Sequence, residues 1–453
     1  MLTKELKVQE LETGRKIRLS SNLLRNFGFT PQTRLAVHHD SRALILAPDE
    51  GGSIKVHERR YGGTRSREAV IELASQQLID RFLPSGYDRV HFTFERSRLT
   101  LRPVCPHLFH IRKAFRTVDT LHAFMALSSG VDAAAFADVG FRISAALDWR
   151  PPEARDRSDL TESGIQTFLA NHQPSLVFNE DLTTVNSLNV GAILRRKLGP
   201  IACLSIGLQC DDFSSVKSAA LKRTECQEFR PSSRELGYYA TKLLENVRPA
   251  SCLIEQVPGW LSSESAAVMG AVLRRLGYHV HACILNSADY GACTTRRRCY
   301  FVASIFPGYE FPKPTGENRI PLSEALAEEV PKMRDVSHTR TIAKARDSNY
   351  CRFTPLSAVT APTILKSQHR QTKDSIYFEL GDRLLFPTVN ALRTIQGIPA
   401  SFDFGQVSAE VATEQIGQGV DFGLHAAVAQ SLITHLRSNQ VGQSILDFGN
   451  CRA

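Results

Sequence analysis

Hydrophobic and polar positions in the first hundred residues run through one order twice. Lys16 to Pro31 reads as a strand and a short helix, and Arg34 to Pro48 as a hairpin with Leu44 and Leu46 at period two. Val70 to Pro84 and Arg89 to Pro103, with Leu99 and Leu101 at the same period, repeat that order. Neither half is large enough to bury a core alone. The two are therefore expected to pack together about a pseudo-twofold axis.

A connector rich in Pro, His and Arg follows Pro103, and from about Thr117 short apolar runs alternate with helical stretches, the texture of an α/β domain. Leu121 to Gly130 reads as strand and turn, Val131 to Phe141 as a short helix ending at Gly140, and Ile143 to Leu147 as a second strand delivering Asp148 and Trp149. In such a βαβ unit a glycine lets the chain pass close to a cofactor, and a carboxylate about 20 residues on accepts from ribose hydroxyls. Gln173 to Leu182 is a further strand ending in acid at Asp181, and Ile201 to Leu208 runs out into a turn carrying Gln209 and Cys210. Pro249 to Gln256 delivers Glu255 at its carboxyl end, and the strand reaching Ala303 starts from Arg296 and Arg298, two apart and so on one face.

The 453 residues suggest two or three domains at about 150 residues each. Content of 42% hydrophobic and 22% charged residues is that of a soluble globular chain. There is no apolar run at the start and no stretch of about 18 apolar residues anywhere, which predicts neither secretion nor a membrane span and places the protein in the cytoplasm. Ten cysteines are scattered without a CxxC pair, which predicts reduced thiols and no metal site. A net charge of +9 favours a polyanionic partner, nucleic acid first. Among the thiols Cys210 is singled out by its place. In an open α/β sheet ligands bind outside the carboxyl ends of strands, whereas most free cysteines are small buried residues.

The order Gly130, Asp148-Trp149, Asp181, Cys210-Asp-Asp-Phe-Ser214, Glu255-Gln-Val-Pro-Gly259, Leu276-Gly-Tyr278, Asp289-Tyr-Gly291, Arg296-Arg-Arg298, then Phe386 to Phe402 and Ile416 to Val420, resembles the motif order of the DNA (cytosine-5) methyltransferases. The resemblance runs over residues 118 to 440. It implies a doubly wound, Rossmann-like methyltransferase sheet at 118–306 and 383–445, with a small target-recognition insert at 307–382 rich in basic and hydroxylic residues. The implied reaction moves a methyl group from S-adenosylmethionine to C5 of a cytosine flipped out of double-stranded DNA, as in bacterial restriction-modification. Cys210 then matches the thiol that adds to cytosine C6, Glu255 the carboxyl at N3, and Arg298 with Arg296 the guanidinium pair that holds the base and the site. Ser129 and Gly130 match the chain beside the methionine end of the cofactor, Asp148 its ribose acid, Trp149 the aromatic beside adenine and Asp181 the acid at the exocyclic amine. Gln209 and Gln418 fall in the same cofactor set. The chemistry asks for these groups, because C5 is a poor nucleophile until a thiolate adds at C6 and charge is drawn toward N3. A thiol of pKa near 8.5 needs a positive neighbour to ionise, and a base inside a duplex must be extruded first.

Residues 14 to 103, within an expected domain at 1–112, resemble the AbrB/SpoVT-like and SymE-like swapped-hairpin modules through Gly28-Phe-Thr-Pro31 and the hairpins around it. That likeness implies DNA contact, with Arg15, Lys16, Arg18, Arg25 and Arg34 on phosphates and a nucleoid-associated location, or else a surface for a protein partner or self-association.

The chain departs from the methyltransferase pattern in five places: Asp132-Ala133 for a glycine pair, Gln209 for proline, Gln256 for asparagine, Thr294 for glutamine and Gln418 for asparagine. None removes the thiol, the acid or the arginine, but each alters the scaffold around them. They support an alternative, a catalytically impaired, methyltransferase-like DNA-binding protein acting as a regulator or anti-restriction factor. A protein-interaction role led by the N-terminal repeat is a second alternative.

Overall fold

The computed structural model describes residues 1–40, 43–60, 67–153, 156–213, 233–316, 320–347 and 352–446, and the chain divides into two units, Met1–Phe109 and His110–Ala453. Ser214, Cys226, Cys351 and Cys451 lie outside the described residues.

The first unit holds β1 (Leu2–Lys7), β2 (Gln9–Leu11), β3 (Gly14–Ser20), β4 (Arg34–Asp40), β5 (Ala43–Pro48), β6 (Ile54–Lys55), β7 (His57–Arg60), β8 (Arg67–Leu73), β9 (Arg89–Glu95) and β10 (Arg98–Val104). They form the sheets β2-β3-β8-β7 and β1-β9-β10-β5-β4-β6. Equivalent strands of the two sequence halves are neighbours. Antiparallel pairing sets Ile17 opposite Leu73 and Leu19 opposite Ile71 between β3 and β8. Between β5 and β10 it sets Leu46 opposite Leu99 and Leu44 opposite Leu101. Like paired with like in opposite directions is what a twofold relation between the halves produces. The leucines of both hairpins share one core with Phe29, Ile79, Phe82, Phe92 and Phe94.

The basic residues expected on phosphates are engaged inside this unit. Arg15 pairs with Asp80 at 2.5 Å, Lys16 and Arg18 with Glu72 at 2.8 and 3.1 Å, and Arg25 with Glu58 at 2.8 Å. Arg34 donates to the Gly52 carbonyl at 3.1 Å. The acids come from the other half of the repeat or from the segment between the halves, so the linear sequence did not show this neutralisation.

The second unit is built on β11 (His122–Ala126), β12 (Arg142–Leu147), β13 (Leu176–Phe178), β14 (Cys203–Gly207), β15 (Ser251–Gln256), β16 (His279–Asn286) and β17 (Arg297–Ser304), in the order β13-β12-β11-β14-β15-β17-β16. The first five run parallel, and β17 inserts antiparallel between β15 and β16. Central strands such as β14 are apolar on both faces, as a sheet covered by helices on both sides requires. Strand order reverses between β11 and β14, which opens a crevice at their carboxyl ends.

A smaller sheet, β18 (Arg334–Asp335), β19 (Arg352–Pro355), β20 (Ile376–Leu380) and β21 (Arg383–Phe386), follows in the order β18-β21-β20-β19. β21 lies past the Asp382 limit expected for the insert. Gly381, at φ +58°, and Asp382 turn a hairpin between β20 and β21 rather than ending a domain. No helix among the described residues is long and apolar enough to cross a membrane, and no group of three or more His, Cys, Asp or Glu suited to a metal occurs among them.

Candidate active site

Cys210, Glu255 and Arg298 come from three neighbouring strands. Glu255 is the register partner of Gly207 on β14 and of Tyr300 on β17, so the end of β14, β15 and the start of β17 converge at one level of the sheet. Arg298 Nε lies 3.0 Å from Glu255 Oε1, with the two side chains only 13% and 12% exposed. Cys210 is half-buried within electrostatic reach of both. Burial pushes its thiol pKa up and Arg298 draws it down, while Asp211 and Glu255 raise it and Arg296 lowers it.

What holds the thiol in place is the residue after Glu255. Gln256 is fully buried, and its Nε2 donates to the carbonyls of Leu208 at 3.1 Å and Gln209 at 3.0 Å. Its Oε1 accepts from the Val257 N–H at 2.7 Å. The amide thus fastens the end of β15 to the segment carrying Cys210. The glutamine read from the sequence only as a departure makes three hydrogen bonds here. Three residues on, a Cβ at Gly259 would stand 2.7 Å from the Phe213 carbonyl oxygen, so a glycine is needed for the Cys210 loop to approach.

Arg296 and Arg298 have different surroundings. Arg298 faces Glu255, whereas Arg296 is buried and spends its guanidinium on backbone carbonyls, with Gly417 at 3.2 Å, Gly419 at 2.5 Å and Ile364 at 3.5 Å. Burial lowers its pKa to about 10, which leaves it charged at neutral pH. It ties the Thr294–Arg298 segment to two chain segments far along the sequence.

On the other side of the switch point, Gly130 adopts φ +106° and caps the helix Val131–Asp138. Its N–H donates to Ser128 Oγ at 3.1 Å, and Ser128 Oγ donates to the Asp132 carboxylate. Ser129 is half-buried in the same turn. Asp148, just past β12, is half-buried and its carboxylate makes no hydrogen bond or ion pair among the described residues. A Cβ at Gly164 would fall 2.0 Å from Asp148 Oδ2, so the start of the helix Ser163–Asn171 presses against it. Burial pushes the Asp148 pKa up to about 7, with Asp132 adding to the rise. Asp132 itself is pushed up to about 6 by burial, against hydrogen bonds from Ser128 and its own helix, and the Glu255 charge adds to the rise. Trp149 is half-buried next to Asp148, Asp181 accepts the Thr183 N–H at 2.8 Å, and Gln209 and Gln418 are exposed.

The sequence missed Gln256 as the tie under the thiol and Tyr300 as the buried partner of Glu255. For Gln256 the signal was its place directly after the acid. For Tyr300 nothing in the chain announces a register two strands later.

A mostly parallel sheet with a reversed last-but-one strand, and polar side chains gathered at its carboxyl edge, defines a doubly wound α/β fold with its site at the switch point. Residues 127–377, just over half of the chain, match the family of C-5 cytosine-specific DNA methylases, and the chain belongs to that family. It is similar to the type II methyltransferase M.MspI of Moraxella sp, with 23% identity over 246 residues, 52% of this chain and 56% of that protein. It is also similar to the type II methyltransferase M.HaeII of Haemophilus aegyptius, with 24% identity over 232 residues, 47% of this chain and 72% of that protein. The match thus spans little more than half the length of the first of these relatives. Among solved structures, the Entamoeba histolytica methyltransferase EhMeth shares the fold at a TM-score of 0.56 and 13% identity, over 70% of this chain and 99% of that one.

Proposed function

We propose that the protein is a DNA cytosine-5 methyltransferase that uses S-adenosylmethionine, with Cys210 as nucleophile. The observation that carries this is the meeting of Glu255 and Arg298 at 3.0 Å with the Cys210 thiol inside their field. The cofactor supplies an electrophilic methyl group when bound. The residues present suit it: Asp148 offers a carboxylate with no donor among the described residues to ribose hydroxyls, and Leu127, just before the Ser128–Gly130 turn, donates its N–H to the carbonyl of Leu147 beside it at 2.6 Å. Trp149, Ser129, Asp181, Gln209 and Gln418 are the remaining contacts of this reading.

The residues act as follows. Arg298 favours the Cys210 thiolate, whose electron pair adds to cytosine C6 and makes C5 nucleophilic. The carboxyl of Glu255 meets N3 as an acid and gives its proton to that nitrogen as negative charge develops there. After C5 is methylated, loss of its proton restores the double bond and expels the Cys210 sulfur. The base reaches this buried pair only when flipped out of the duplex, at a cost of a few kcal/mol that phosphate contacts offset. The insert at 307–382, continued by β21, serves target recognition in this reading. The first unit, whose paired strands fit a swapped-hairpin arrangement, serves a protein partner or self-association better than phosphate binding, since most of its candidate cations are already paired.

The test is incubation with duplex DNA and labelled S-adenosylmethionine, alongside a 5-fluorocytosine duplex that traps the thiol adduct. Label transfer and a trapped complex, both lost in Cys210→Ser, support the reading. DNA binding with neither label nor adduct across varied sequences would replace it with the impaired, regulatory descendant.

A further inference from the structure

Asp132 is an ionisable group of the crevice for which the reaction above has no use. In the lateral order of the sheet, Asp148 stands past β12, Asp132 past β11, Cys210 past β14 and Glu255 on β15. Asp132, in the first turn of the helix that follows β11, thus belongs to the strand between that of the ribose acid and those of the reacting end. It is half-buried rather than sealed in the core, and Ser128 Oγ donates to one of its oxygens and so fixes its direction. Its charge is felt by Asp148 on one side, and it feels that of Glu255 on the other. Glu255 is neutralised by Arg298, whereas no basic side chain pairs with Asp132 or Asp148 among the described residues. The middle of the crevice is thus negative.

We propose that Asp132 is a specificity residue of the cofactor site, a carboxylate that favours the positively charged methyl donor over the demethylated product. The proposal rests on the cofactor reading above. A ligand with its ribose at Asp148 and its reactive end toward Cys210 and Glu255 has to pass Asp132. The part of S-adenosylmethionine between those two ends is the sulfonium, and loss of the methyl group turns it into a neutral thioether. The charge that Asp132 attracts before transfer is gone after it, so the site grips the donor and lets the product go. A glycine at 132 would have no such preference.

Isothermal titration of the full chain with S-adenosylmethionine, S-adenosylhomocysteine and sinefungin, which carries an ammonium where the donor carries its methylsulfonium, tests this. The wild type should bind both cations about tenfold more tightly than the product, the factor that one partly screened charge pair supplies. Asp132→Asn and Asp132→Gly should lose most of that ratio while keeping the product affinity, which also reports an intact fold. A ratio unchanged in both variants, or equal weakening of all three ligands, overturns the proposal and leaves Asp132 a structural cap. If the wild type binds none of the three, the cofactor reading itself falls and takes this inference with it.

Discussion

Glu255 and Arg298, on antiparallel neighbours β15 and β17, meet at 3.0 Å with most of both side chains out of water. Arg298 also lowers the pKa of the Cys210 thiol against the effect of burial. Arg298→Ala removes that help and strands a buried carboxyl, so the thiol pKa rises and less thiolate is present at a given pH. Trapping of the 5-fluorocytosine duplex should fall by about a hundredfold or more, and peptide-resolved alkylation of Cys210 should shift to higher pH.

Gln256 positions the thiol without touching the base. Gln256→Ala removes its bonds to the Leu208 and Gln209 carbonyls and to the Val257 N–H. Methyl transfer should drop about a hundredfold, as for a displacement of about 1 Å at a reacting group. Chemical unfolding should show a loss of about 1–3 kcal/mol. Cofactor affinity, read by calorimetry, should hold.

Arg296 is expected to matter most for stability. Arg296→Met leaves the carbonyls of Gly417, Gly419 and Ile364 without their donor, at a cost of about 3 kcal/mol or more. Arg296→Lys should not restore it, because one ammonium cannot span the positions a planar fork reaches. Denaturant melts in the absence of DNA check both.

The acids of the crevice set a pH dependence whose sign follows from their direction. Asp148 at about 7 and Asp132 at about 6 lie above the ordinary carboxylate value near 3.9, so the folded protein holds more protons than the unfolded chain between about pH 4 and 7. Their contribution to stability is greatest at the acid end and declines as pH rises through the folded values. Asp421, raised to about 6 by burial, acts in the same direction. His425, lowered to about 3 by burial, acts in the opposite one below pH 6.5. The difference in melting temperature between wild type and Asp148→Asn isolates the Asp148 share: the wild type should lose ground steadily from pH 5 to about 7 and level off above it. A ligand that donates hydroxyls or carries positive charge favours the ionised acids, so S-adenosylmethionine should bind more tightly as pH rises from 5.5 to 7.5.

In the first unit, Lys16 and Arg18 share Glu72. Replacing both by glutamine should change the slope of log affinity for DNA against log salt by no more than about one, since Glu72 already offsets one of the two charges. A slope reduced by about two would restore these residues to a DNA contact surface.

The order of elements and the place of each chemical group along the chain are local properties, and they were legible without coordinates. Period two marked the hairpin leucines, which the structure sets opposite one another as Leu46 with Leu99 and Leu44 with Leu101. Apolar runs ending in acid or thiol put Asp148, Cys210 and Glu255 at strand ends, because a strand needs only its own side chains to declare itself. Partnership is a different kind of fact. That Gln256 reaches the Cys210 segment, that Arg296 is consumed by carbonyls more than a hundred residues on, and that the basic residues of the first unit find acids of their own depends on which strands lie side by side. No window of sequence carries those distances. The linear chain stated which groups are present and in what order, and only packing decided which of them are free to act and which are spent on holding the fold, since a hydrogen bond or an ion pair reads separation in space and not along the backbone.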